Sequence, residues 1–142
     1  MKDNSFRYND IQINGPHCPF IEMEIISPNN NSLRVKVDAI LDTGAAISCV
    51  PEEAILRLGD SNLTYGYITV IGATSEKRTI KKAYFNIVVA NCSFENFPVA
   101  IISRKYALIG RDIINNYELR LNGIKRRWYV KSKSISINEN NE

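Results

Sequence analysis

The sequence predicts an all-β domain of barrel or sandwich type. Three observations carry that prediction. Short runs rich in Val, Ile, Tyr, Phe and Thr alternate apolar with polar residues. Turn-forming clusters separate them. Only two brief stretches suit a helix. A chain of 142 residues is one domain's worth and supports one modest core. Apolar content of 44% and charged content of 23% are globular values and argue against wholesale disorder.

In chain order, residues 1–18 are polar and irregular and read as an N-terminal arm, ordered only by packing on something else. Phe20 to Ile26 alternates around Glu22 and Glu24, as a half-buried strand does. Ser27-Pro28-Asn29-Asn30-Asn31-Ser32 is a turn. Leu33, Val35, Val37, Ala39 and Leu41 then share one face of a second strand, and the resulting hairpin delivers Asp42 at its end. Ile47 to Val50 is short and β-like. Pro51-Glu52-Glu53 opens a short helix through Leu58, with proline early and acids in the first turn, and Gly59 ends it.

Leu63 to Ile71 and Thr79 to Ala90 form a hairpin whose tip, Gly72-Ala73-Thr74-Ser75-Glu76-Lys77, is small and polar and can project and move. Phe94 to Ile102 resumes a strand pattern, in which Pro98 demands an edge or a bulge. Ala107-Leu108-Ile109 leads into Gly110-Arg111-Asp112 and a brief helix. Glu118 to Leu121 is a strand, Asn122-Gly123 a turn and Trp128-Tyr129-Val130 a closing strand. From Ser132 the chain is a Lys/Ser/Asn-rich tail in which Ile135 and Ile137 suit an edge or interface strand. The expected domain therefore spans 19–131, between an arm at 1–18 and a tail at 132–142.

Several function classes rank low. The net charge of +3 is mild, and Lys77-Arg78, Lys81-Lys82 and Lys125-Arg126-Arg127 read as solvated faces, so no nucleic-acid partner is expected. No run approaches bilayer length, and Met1 to Ser5 lacks the apolar segment of a signal peptide; no membrane association is expected. Cys18, Cys49 and Cys92 are an odd set without CxxC spacing, and His17 is the one histidine. The expectation is a cytoplasmic protein with reduced thiols, no metal and no cofactor. Asn-x-Ser/Thr triplets at Asn30, Asn62 and Asn91 are then chance.

One stretch organises the rest. Ile40-Leu41-Asp42-Thr43-Gly44-Ala45 is an apolar strand that runs into a single carboxylate, a hydroxyl residue and a glycine. Alone, Asp-Thr-Gly also suits an ordinary turn. Downstream lies Leu108-Ile109-Gly110-Arg111-Asp112, with the hairpin between the two. In this order and spacing, the two motifs resemble the signatures of retropepsin-like aspartic proteases over residues 20–130.

The resemblance implies a closed retropepsin-like β-barrel with one or two short helices and a flap hairpin. It also implies an aspartic endopeptidase that hydrolyses peptide bonds in extended segments. Pepsin-like relatives carry two such motifs in one long chain; this chain has one Asp-Thr-Gly. A homodimer is therefore implied, with one Asp42 from each subunit. Thr43 would hydrogen-bond across the axis, Gly44 would let substrate backbone approach, and Ala45 would keep the cleft floor clear. Gly72, Ala73 and Thr74 would close over a peptide or protein substrate. Gly110, Arg111 and Asp112 would be structural, tying the short helix to the core.

Viral members usually carry an acid at the position of Ala46 that pairs with the arginine. Its absence leaves Asp112, Asp38 or the C-terminal carboxylate as expected partners of Arg111. The alternative to a protease is a catalytically silent module of the same fold that binds peptides or dimerises. Tyr65 and Tyr67 read as strand packing ahead of the alternative that they line the cleft, Trp128 as core or interface, and Cys49 as a small buried filler.

Overall fold

Alternation on the strands decides the architecture. Val35, Val37 and Ala39 are buried, while Arg34, Lys36 and Asp38 between them are exposed. The same period runs through Ala83, Phe85, Ile87 and Val89. Each strand thus has one face to bury, and closing the sheet on itself buries all of them together.

The computed structural model describes residues 4–9 and 17–132. Its strands are β1 (Asn4–Asn9), β2 (Cys18–Ile26), β3 (Arg34–Leu41), β4 (Cys49–Pro51), β5 (Gly66–Ile71), β6 (Lys77–Val89), β7 (Cys92–Ile102), β8 (Ala107–Ile109), β9 (Tyr117–Asn122) and β10 (Arg127–Ser132). The helices are α1 (Glu52–Leu58) and α2 (Arg111–Ile114). Strand order is β5-β6-β7-β4-β8-β3-β2-β1-β10-β9, and a further pairing of β6 with β2 closes β2, β3, β8, β4, β7 and β6 into a ring. The expected all-β fold with two short helices is the one observed. Among the described residues no helix is long and apolar enough to cross a membrane.

The hairpins form where the turn chemistry placed them. β2 and β3 pair antiparallel from Phe20–Ile40 to Ile26–Arg34. The turn between them is tied down by Ser27, whose hydroxyl accepts the N–H groups of Asn29 and Asn30 and donates to the Asp60 carboxylate. That hydroxyl, together with the Asn62 N–H, holds the Asp60 carboxyl below its ordinary value. α1 starts after Pro51 and ends at Gly59, which takes the left-handed conformation at φ 72°. Pro98 sits on β7 opposite Tyr84. The β6–β7 register shifts between Phe85 and Ile87, and the Asn86 side chain accepts the Asn96 N–H at 2.8 Å.

The N-terminal stretch departs from expectation. Residues 4–9 form a strand of the domain itself, pairing with β10 and, at Tyr8 and Asn9, with β2. The reason is aromatic: Phe6 lies opposite Trp128, with ring centroids 5.0 Å apart. Trp128 is core, 2% exposed, and its indole N–H donates to the Phe20 carbonyl at 3.0 Å. Burying such a ring contributes about 2 kcal/mol, which adds to the ladder hydrogen bonds that hold the short polar strand. Tyr65 and Tyr67 are exposed rather than packed, with Lys81 over the Tyr65 ring. Residues 10–16 and the tail with Ile135 and Ile137 lie outside the described residues.

Candidate functional site

Strand period places Asp42. On β3 the core face takes Val35, Val37 and Ala39, so Ile40 and, one step past the strand, Asp42 point to the opposite face. The Asp42 N–H donates to the Ile109 carbonyl at 2.9 Å, which continues the β3–β8 pairing by one residue. The chain then turns: the Ala45 N–H reaches the Asp42 carbonyl at 3.2 Å, and the Gly44 N–H reaches Asp42 Oδ1 at 2.9 Å. A side chain at Gly44 would put its Cβ 3.2 Å from that same oxygen, so glycine keeps the carboxylate uncrowded. Thr43 and Gly44 are exposed, and Asp42 and Ala45 are partly exposed.

The second motif braces this loop from behind. Arg111 donates twice, from its backbone N–H to the Ala45 carbonyl and from Nη1 to the Thr43 carbonyl, both at 2.8 Å. The expected carboxylate partners are thereby replaced by a backbone carbonyl. Asp112 is engaged with Ser48, Asp38 is exposed on β3 opposite Glu22, and the C-terminus lies outside the described residues. Without an acid at Ala46, the guanidinium finds the nearest strong acceptor, an unpaired carbonyl of the turn.

Ser48 is the residue the sequence reading missed. It is fully buried, its hydroxyl donates to Asp112 Oδ1 at 2.6 Å, and it accepts the Gly110 N–H at 2.9 Å. Its backbone N–H reaches both Asp112 oxygens, at 3.1 and 3.0 Å. A hydroxyl within the apolar run Ile47 to Val50 was the available signal. Gly110 is required by space alone: a Cβ there would stand 2.8 Å from the Ile47 carbonyl carbon and 2.9 Å from the Ala45 oxygen.

Beside Asp42 lies a row of side chains on the face away from the core. Cross-strand pairing runs Lys82–Ala100 (β6–β7), Ala100–Cys49 (β7–β4), Cys49–Leu108 (β4–β8) and Leu108–Ile40 (β8–β3). Ile40, Cys49, Leu108 and Lys82 are each partly exposed, whereas the flanking Ala83, Val99, Val50 and Ala107 are core. The Cys49 thiol is pushed up to about 11, first by burial and then by the negative charges of Asp112 and Asp42; Arg104 acts in the opposite direction. At neutral pH it is a protonated filler, not a nucleophile.

The hairpin tip is built from itself. The Gly72 N–H donates to the Glu76 carbonyl at 2.8 Å and the Ser75 N–H to the Gly72 carbonyl at 3.0 Å. Ala73 and Thr74 are exposed at the apex. The left-handed position, φ 62°, is occupied by Ser75 and not by Gly72. No hydrogen bond among the described residues joins the tip to the loop at 42–48. Nor do the described residues contain a His/Cys/Asp/Glu group that could hold a metal.

A ring of strands that presents one Asp-Thr-Gly turn, held from behind by Gly-Arg-Asp, defines the retropepsin class of fold. The family model described as retroviral aspartyl protease matches residues 11–122, and the chain belongs to that family. Its structure is similar to that of a retropepsin-like aspartic protease from Rickettsia conorii, at 18% identity over 91% of each chain with a TM-score of 0.60. It is also similar to EIAV protease complexed with the inhibitor HBY-793, at 18% identity over 74% of this chain and 92% of that one, TM-score 0.53. The foamy viral protease-reverse transcriptase matches at 16% identity over 72% of this chain and 12% of that one, TM-score 0.51. At these identities the likeness is one of fold. No curated protein sequence matches closely enough to name a relative.

Proposed function

We propose that the protein is an aspartic endopeptidase, active as a homodimer in which each subunit contributes one Asp42. The observation that carries the reading is the single Asp-Thr-Gly turn, held rigidly at its back and open at its front, where Thr43 and Gly44 are exposed. One such turn is half a site, and a two-fold axis through it completes the pair. Two carboxylates about 3 Å apart cannot both ionise cheaply, so they share a proton and titrate as a unit. One takes a proton from water as it attacks the scissile carbonyl, and the other donates a hydrogen bond to the carbonyl oxygen. Neither metal nor cofactor enters this scheme.

Thr43 then holds the two turns in register across the axis, Gly44 admits substrate backbone, and Ala45 keeps the floor clear. Gly72, Ala73 and Thr74 close over the substrate, which lies as an added strand between the flap and the row Ile40–Leu108–Cys49. The odd set of three cysteines suits a reducing, cytoplasmic setting.

Asp42→Asn keeps the shape of the site and removes the ionisable group. Cleavage of a peptide library should fall by at least ~10³-fold, with the far-UV circular dichroism spectrum unchanged. Cleavage at the wild-type rate would sink the reading. A stable dimer in sedimentation that binds peptides and never cuts them would favour the silent binding module instead.

A further inference from the structure

Several cations stand around the row beside Asp42 without an ion-pair partner among the described residues, and this points to a substrate class. Lys82 ends the row on β6. Its stem lies across β5 at Gly66, where a Cβ would stand 3.0 Å from Lys82 Cε, and its ammonium sits 5.7 Å from the centre of the Tyr84 ring. Glycine at 66 therefore gives this lysine a bed, and Tyr84 gives its charge a place to rest. Arg78 lies on the same face of the hairpin, opposite Val70. Just past Ala100, at the C-terminal end of β7, the loop at 103–106 carries Arg104 and Lys105, both exposed. The positive charge of Arg104 is felt at Cys49, in the middle of the row, where it opposes the larger influence of Asp112 and Asp42.

Carboxylates are not absent, since Glu52 and Glu53 line a surface pocket with Arg104 and Lys105, but none among the described residues lies within ion-pair distance of these cations. The ion pairs among the described residues are Arg34–Glu24, Lys36–Glu22 and Arg57–Glu53, and none of them uses these cations. Ala46, exposed beside the Asp42 turn, supplies no carboxylate. Apolar side chains of a bound strand have Ile40, Leu108 and Cys49 to rest on, and the charges that flank that floor call for anions.

Resting on the proteolytic reading above, we propose that Lys82 and Arg104 set specificity, selecting extended peptide segments in which glutamate or aspartate flanks the apolar side chains at the scissile bond. A strand laid over the row places alternate side chains on the floor and sends those beyond it towards the cations. Closure over the strand excludes water and strengthens each charge pair.

The test uses the full chain carrying Asp42→Asn and fluorescent octapeptides with one apolar centre, flanked by Glu, Gln or Lys. Anisotropy should rank Glu above Gln by roughly fivefold and Lys last, with the gap shrinking at high salt. Lys82→Glu and Arg104→Glu should each reverse the ranking while the circular dichroism spectrum holds. In parallel, wild type digests a proteome-derived peptide library, and Glu or Asp should be enriched at a fixed position beside the cut. Equal binding of the three peptides, or rankings unmoved by both reversals, overturns the proposal. So does efficient displacement of the Glu peptide by a single-stranded oligonucleotide, which would make the basic face a phosphate site. Library cleavage without acidic enrichment overturns the specificity and leaves the protease intact. Selective binding of the Glu peptide with no cleavage by wild type overturns the protease and leaves the selectivity.

Discussion

Between Asp42 and Ser48 the chain is held by other elements: Ile109, Arg111 and Asp112 bond to its backbone, and Gly110 to the Ser48 hydroxyl. Between Ile71 and Lys77 the chain bonds to itself, through Gly72, Ser75 and Glu76. The first segment is cross-braced by residues far away in sequence and backed by the buried Ser48 and Ile113. The second is exposed nearly throughout. In the proposed protease, the carboxylates would call for the first kind of construction and a closing hairpin for the second. Substitutions that attack the two regions should therefore differ in what they cost and in what they disturb.

The largest effect is expected at Gly110. Its φ of −90° is open to any residue, so only space forbids a side chain. Gly110→Ala drives a methyl group against the Ile47 carbonyl carbon and the Ala45 oxygen, both of them backbone atoms with nowhere to go. Relief must separate Arg111 from Ala45 or Gly110 from Ser48. A loss of about 3 kcal/mol is expected, seen as a fall of about 10 °C in thermal midpoint. A fall of only a degree or two would show that the bracing is soft and that the contrast between the regions fails.

Ser48→Ala comes next. It removes the donor to Asp112 and strands the Gly110 N–H in the interior. The expected cost is about 2 kcal/mol, measured by urea unfolding with an unchanged m-value. Peptide turnover should fall further than stability alone explains, because the Asp42 turn loses its support. A variant that is destabilised yet fully active would make Ser48 a core residue and nothing more.

How much of this was legible in the sequence follows from the same contrast. The ring strands were readable because burial on one face imposes a period of two, as Val35, Val37 and Ala39 show. The Asp42 turn and Gly110 stood out because a carboxylate and a glycine end otherwise apolar runs. What joins them was hidden. The bonds from Arg111 to the Thr43 and Ala45 carbonyls use backbone acceptors, and any residue type offers those. Ser48 looked like a minor polar residue until the fold placed Asp112 against it. β1 was missed because its strand signal is two aromatic residues, Phe6 and Tyr8, among polar neighbours. Its stability comes from Trp128, at the far end of the chain. The hairpin tip was legible as a turn. Which residue takes the left-handed position was not, since Gly72 was the natural candidate and Ser75 holds it.

The smallest effect is expected there, and it sharpens the comparison most directly. Ser75 at φ 62° carries the steric cost of a side chain in the left-handed region, of order 1 kcal/mol. Ser75→Gly removes that cost, but it also gives the unfolded chain more freedom, worth about the same. The two nearly cancel, so the thermal midpoint should move by less than about 2 °C. What should change is local. With the folded tip relieved and the chain there freer, amide exchange at residues 71–77 should shift while exchange at residues 42–48 stays as in wild type. Exchange that changes at both places together would mean that the hairpin and the braced turn are one cooperative unit, and the separation of rigid from mobile construction would have to be abandoned.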